Sequence, residues 1–142
     1  MRVGMDLDGT LDKPALAALA NALLAGGHEV HIITSYFPEG GSWQSPAAKH
    51  SKLQRLGIEF EHTTGPRGRT IFSGPDGVKR AELHILEAVD VSFPLEYRLR
   101  DLGLRKGEMC ERLGIEVMFD DSATFTEVFR LMNGATTMLR VM

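Results

Sequence analysis

The sequence predicts an α/β protein: a three-layer α/β/α, Rossmann-like arrangement with a mainly parallel sheet and no large cap domain. Three observations predict it. Short runs rich in β-branched residues, such as 29–34 and 115–119, alternate with stretches of helical apolar spacing along the chain. The first helical stretch lies between two such runs, so it is a crossover and the strands it joins are parallel. Polar residues gather where apolar runs end, at Asp6 and Asp8, at Thr34 and Ser35, and at Asp120 and Asp121; in open parallel sheets ligands sit at the carboxyl ends of strands.

The opening Val3-Gly4-Met5 reads as the first strand and runs into Asp6-Leu7-Asp8-Gly9-Thr10. Alternate side chains of a strand share a face, so Asp6 and Asp8 point the same way, while Gly9 frees the backbone to turn. Carboxylates held that close repel unless a cation sits between them or one takes up a proton. The same residues also suit an ordinary strand end followed by an Asp-Gly turn. Pro14 then opens a helix in which Leu16, Leu19, Ala20, Leu23 and Leu24 recur at helical spacing, and Gly26-Gly27 closes it. Residues 29–34 form the second predicted strand.

Residues 36–48 have a loop composition, with Pro38, Gly40, Gly41, Ser42 and Pro46 around the aromatics Tyr36, Phe37 and Trp43. A helix over 49–56, stopped at Gly57, leads to a strand over 58–62. Residues 63–100 are rich in turn signals and include a predicted helix over 81–89 and an extended piece over 91–97. This region is expected to be a small insertion or lid, or an extra helix and strand added to the core. A helix over 106–113 stops at Gly114, a strand follows over 115–119, a helix over 124–132, and a last strand over 136–141.

A chain of 142 residues suits one domain, 1–142, able to bury a core without disulfides. The 43% hydrophobic and 25% charged fractions are those of ordinary globular proteins, and no apolar run approaches the roughly 18 residues of a membrane span. Met1 and Arg2 lead straight into a predicted strand with no room for a signal peptide, and Cys110 has no partner, so a cytoplasmic location is expected. A net charge of −3 argues against broad nucleic-acid binding, and Arg67, Arg69, Lys79, Arg98 and Arg105 read as solvated surface. The five histidines have no ligand-like spacing and argue against a zinc site.

The DLDGT run at Asp6 to Thr10, the apolar run ending in Thr34-Ser35, Lys106, and the apolar run ending in Asp120-Asp121 resemble, in this order, the haloacid dehalogenase-like (HAD) superfamily. Most of its members are Mg²⁺-dependent phosphohydrolases working through an aspartyl-phosphate, and the resemblance spans nearly the whole chain. It implies that Asp6 attacks phosphorus and that Asp8 serves as acid and base, with its main-chain carbonyl on the metal. It further implies that Asp120 binds Mg²⁺ directly and that Asp121 acts through water or by holding Lys106. The metal set is thus Asp6, Asp8, Asp120 and Asp121. Thr34, or else Ser35, would hydrogen-bond a phosphate oxygen, and Lys106 would balance the charge gathered there. Gly9, Thr10, Ser35 and Trp43 are the expected substrate contacts, Trp43 by stacking on a base or sugar.

The function this implies is a phosphatase, a Mg²⁺-dependent phosphomonoester hydrolase, acting on a phosphorylated small molecule in an open or lightly capped site. The alternatives are a polynucleotide 3′-end phosphatase, suggested by the paired aspartates and the aromatic loop, and a non-catalytic binding or scaffold protein on the same fold. An open site also suits cover by a second subunit, hence a homo-oligomer. Each residue keeps a plainer role beside this one. Thr34-Ser35 also reads as a strand end, Lys106 as a solvated helix residue, Asp120-Asp121-Ser122 as a helix N-cap, and Trp43 as a loop anchor.

Overall fold

Parallel pairing of six strands, with helices on both faces, organises the chain. The computed structural model describes residues 1–62, 80–129 and 134–142. In chain order the elements are β1 (Arg2–Met5), α1 (Pro14–Ala25), β2 (Glu29–Tyr36), α2 (Pro46–Arg55), β3 (Phe60–His62), β4 (Ala81–Glu87), α3 (Leu95–Leu113), β5 (Val117–Asp120), α4 (Ala123–Phe129) and β6 (Thr137–Arg140). The sheet order is β3-β4-β2-β1-β5-β6, and every pairing is parallel.

The two faces follow from the period of two along each strand. Val3, Met5, Val30, Ile32, Ala81 and Leu83 pack with Ala17, Ala20 and Leu24 of α1 and Leu53 of α2. On the other face Ile33 and Met118 pack with Cys110 and Leu113 of α3 and Phe125 and Phe129 of α4. Each fully buried Leu, Ile, Met or Phe among these contributes about 1.5–3 kcal/mol. Gly4 makes room for the side chain of its cross-strand partner: a Cβ there would stand 2.6 Å from Met118 Sδ. The fold is therefore a three-layer α/β/α sandwich. No helix among the described residues is long and apolar enough to cross a membrane.

Three elements differ from the sequence expectation, each for a physical reason. Residues 81–89 were expected to be helical, because Ala, Glu and Leu favour helices; instead β4 is an inner strand whose first four residues are buried, and tertiary packing overrides the propensity. The helix expected over 106–113 begins eleven residues earlier. Its inward stripe, Arg98, Leu102, Gly103, Lys106, Gly107, Cys110 and Leu113, keeps helical period but hides it behind two charges and two glycines. α2 likewise starts before 49: Ser45 caps it, its Oγ accepting from Ala48 N at 3.2 Å, and Pro46 occupies the first turn. Of the expected insertion over 63–100, residues 80–100 contribute β4 and the start of α3, while residues 63–79, with Arg67, Arg69 and Lys79, lie outside those described.

From β1 the chain moves through β2 to β3 and β4 on one side, and then returns to β5 on the other side of β1. The order reverses between β1 and β5, which opens a crevice at their carboxyl ends.

Candidate functional site

Asp6 follows β1 directly, and its backbone N–H donates to Phe119 O of β5 at 2.9 Å, so the two strand ends are tied side by side. Asp120, wholly buried, ends β5. Lys106 reaches both from α3: its Nζ lies 2.8 Å from Asp120 Oδ2 and 3.3 Å from Asp6 Oδ1. The lysine is itself buried, so this is an enclosed ion cluster and not a surface bridge. Ser122 N donates to Asp120 Oδ1 at 2.8 Å, and Phe125 N donates to Ser122 Oγ at 3.2 Å. The cap of α4 is thus Ser122, which leaves the two aspartates to the crevice.

The loop Leu7–Leu11 brings the remaining carboxylates round. Asp8 is extended, at φ −70° and ψ 126°, and Gly9 turns the chain at φ +78°. A Cβ on Gly9 would lie 2.1 Å from Asp121 Oδ2, so only glycine lets the loop close on that carboxylate. Thr10, fully buried, donates from Oγ1 to Asp121 Oδ1 at 3.4 Å. Asp6, Asp120 and Asp121 consequently offer oxygen atoms within 4.8 Å of one another, a donor set suited to a hard divalent cation such as Mg²⁺. The Asp8 side chain is not in that group.

Asp8 instead faces α2. Its Oδ2 accepts from Lys49 Nζ at 2.8 Å and its Oδ1 from Lys52 Nζ at 2.7 Å. Lys49, buried, also donates to Thr34 Oγ1 at 3.2 Å, which joins the end of β2 to the site. Lys52 in turn pairs with Asp12 at 2.6 Å. Sequence reasoning missed both lysines. A signal existed for Lys49: it stands four residues before Leu53 on the inward stripe of α2, where an uncompensated ammonium is rare. Ser35, half-buried, sits one residue beyond Thr34 on the opposite face of the strand. Trp43 lies in a short 3-10 turn over Ser42–Gln44 and is 72% exposed, so it does not anchor the loop.

These neighbourhoods set the protonation states. Burial pushes Asp6 up to about 7, with Lys106 opposing that and Asp120 adding to it. Burial also penalises the charge on Asp8, but hydrogen bonds from Lys49 and Lys52 outweigh it and hold the carboxyl below its ordinary value. Lys106 is raised: burial disfavours its charge, and Asp6 and Asp120 more than restore it. Cys110 is buried and its thiol is pushed up to about 12, chiefly by that burial, which leaves it inert as a nucleophile.

A pH dependence follows. The folded chain holds a proton on Asp6 up to about 7, against 3.8 ordinarily. Folding thus takes up a proton across that interval, and the stability this group lends is full below the unfolded value and lost as pH rises through the folded one. Asp8 acts in the opposite sense, lending stability that is lost as pH falls. In urea titrations without divalent ions, the Asp6 component should lower the midpoint from about pH 4 to about pH 7. Asp6→Asn should flatten that slope; an unchanged slope in the variant would assign it to another group.

The chain matches no protein-family model and no curated protein. Among solved structures it is similar to a universal stress protein in complex with cAMP, at 10% identity and a TM-score of 0.48, covering 100% of this chain and 98% of that one. It is also similar to a protein from the universal stress protein family from Burkholderia pseudomallei, at 11% identity and a TM-score of 0.43, covering 99% and 96%. The haloacid dehalogenase-like expectation is corrected accordingly: these two solved structures are universal stress proteins and not HAD phosphohydrolases. With it fall the Mg²⁺-dependent phosphomonoester hydrolase, the phosphatase assignment, the aspartyl-phosphate route and the polynucleotide 3′-end alternative. At such low identity and TM-score, no ligand or residue role passes from those proteins to this chain.

The residues themselves carry part of the correction. A general acid needs a raised pKa, and Asp8, expected in that role, is held ionised by two lysines.

Proposed function

We propose that the carboxyl edge of β1, β2 and β5 binds a phosphorylated small molecule together with one Mg²⁺ ion, and holds it without turning it over. The observation that carries this is the closeness of the Asp6, Asp120 and Asp121 oxygens to one another, with buried Lys106 on Asp6 and Asp120 and buried Lys49 on Thr34 and Asp8. Among the described residues five carboxylates, Asp6, Asp8, Asp12, Asp120 and Asp121, meet three ammoniums, Lys49, Lys52 and Lys106. When all are ionised, the excess of two negative charges is what one divalent cation cancels.

Asp6, Asp120 and Asp121 would hold the ion, displacing the proton from Asp6. Lys49 and Thr34 would meet the phosphate oxygens, with Gly9 keeping the loop close and Ser35 and Trp43 available to the rest of the ligand. Holding without turnover is favoured by the ionised state of Asp8, which cannot itself protonate a leaving group.

Calorimetric titration with Mg²⁺, and then with phenyl phosphate in its presence and absence, tests the reading. Saturable binding of phenyl phosphate that requires Mg²⁺ is expected. Asp120→Asn should weaken Mg²⁺ by at least about 10–100-fold, the loss that even an outer partner of a metal ligand brings, and Lys49→Met should weaken the phosphate alone. Absence of Mg²⁺-dependent binding would remove the site, and repeated release of inorganic phosphate would overturn the holding role.

A further inference from the structure

On the α3 side of the sheet, within β2 and β4, three further titratable side chains meet. β2 and β4 are neighbours with His31 opposite Glu82 and Ile33 opposite His84. The period of two therefore sets His31, Glu82 and His84 on one face. All three are buried. His31 Nδ1 lies 3.3 Å from His84 Nε2 and 3.2 Å from Glu82 Oε2, and one ligand atom from each falls within 4.8 Å of the others.

We propose that His31, Glu82 and His84 supply three ligands of a buried site for one transition-metal ion of the Zn²⁺ class, a water completing the tetrahedron. Bonds of about 2.0–2.1 Å in a tetrahedral zinc centre place neighbouring donor atoms about 3.3 Å apart, the spacing that the His31 nitrogen keeps to both partners. The far side of the His31 ring supports the same assignment. Its Nε2 lies 3.4 Å from Glu29 Oε2, and Glu29 accepts from Arg2 Nε at 2.9 Å. With a metal ion in place of a proton at Nδ1, the Nε2–H would donate to Glu29, the outer carboxylate that metal-bound histidines generally keep. Two imidazoles and a carboxylate suit zinc, whereas the all-oxygen set at Asp6, Asp120 and Asp121 suits magnesium, so the two sites select different ions. The bound ion pins β2 to β4, two strands far apart in the chain, and so stabilises the sheet.

The enclosed site fills as the chain folds, so the test refolds the full chain from urea with Zn²⁺ or Co²⁺ after removal of metal by a chelator. One Zn²⁺ per chain, a raised urea midpoint and the intense visible absorption of four-coordinate cobalt are expected. His84→Gln should weaken Zn²⁺ by about 100-fold or more, while Asp120→Asn should leave Zn²⁺ uptake as in the parent. A refolded parent that takes up no Zn²⁺, or gives only the faint spectrum of six-coordinate cobalt, overturns the site. So does a His31 ring that NMR finds protonated on both nitrogens with Zn²⁺ present, since a proton then occupies the metal's place. Should His84→Gln fail to refold, the parent's cobalt spectrum decides alone.

Discussion

Lys106→Met is expected to cost the cation-free protein about 3–5 kcal/mol, the loss that follows when one partner is removed from a buried ion pair. Lys106 lies between Asp6 and Asp120, and without its ammonium two buried carboxylates face each other. Methionine keeps the length and apolar stem of the side chain, so the loss reports charge and not a cavity. Asp6 can relieve the repulsion by taking a proton, and the cost should therefore be smaller at pH 5 than at pH 8. Mg²⁺ should recover much of the stability, because a divalent ion between Asp6, Asp120 and Asp121 does the neutralising that the lysine did. Urea denaturation of parent and variant at both pH values, with and without Mg²⁺, measures this. Equal stability of the two proteins at pH 8 without Mg²⁺ would mean that the cluster is not electrostatically enclosed.

Gly9→Ala is expected to produce the second-largest effect, and it should separate backbone strain from ion binding. Gly9 has a φ of +78°, a region that costs an L-residue about 1–2 kcal/mol. Its new methyl would also stand 2.1 Å from Asp121 Oδ2, so the carboxylate must move out of the cation group. Stability in the absence of Mg²⁺ should fall by about the strain alone. Mg²⁺ affinity should fall by a further factor of about 10–100, as when a metal ligand loses its support. A variant that binds Mg²⁺ as the parent does would remove Asp121 from the ion-holding set.

Much of the fold was legible because its signals are local. The β-branched run after Gly26-Gly27 could only be a strand reached by a crossover, and β2 is there. Gly57 and Gly114 close α2 and α3 with positive φ, at the positions where the helical pattern stops. The misread stretches share one cause. β4 has the composition of a helix and is a strand because its neighbours β2 and β3 bury it. The first half of α3 looked irregular because Arg98 and Gly103 occupy inward positions. Arg98 is spent on Val89 O at 2.8 Å and on Glu39, and Gly103 faces Phe125 and Val128 of α4.

The candidate site divides in the same way. Asp6, Asp120 and Asp121 stood out as polar residues at strand ends, and Lys106 as a lysine at the start of an expected helix; the three carboxylates meet, and Lys106 reaches Asp6 and Asp120. The partnership of Asp8 did not stand out, because nothing near Asp8 in the chain signals that Lys49 and Lys52 will reach it from α2. Nor does any spacing foretell that His31 and His84, 53 residues apart, face each other at 3.3 Å.

By itself the sequence determined where the chain turns, which stretches carry an apolar face, and that acidic side chains crowd the end of the first strand. These depend on neighbouring residues and on the periods of helix and strand. Only the tertiary structure decided which strands lie side by side, and with that, which charges are neutralised and by what. Strand order is chosen by burial summed over the whole sheet, and a buried charge takes its protonation state from partners that folding alone brings within reach.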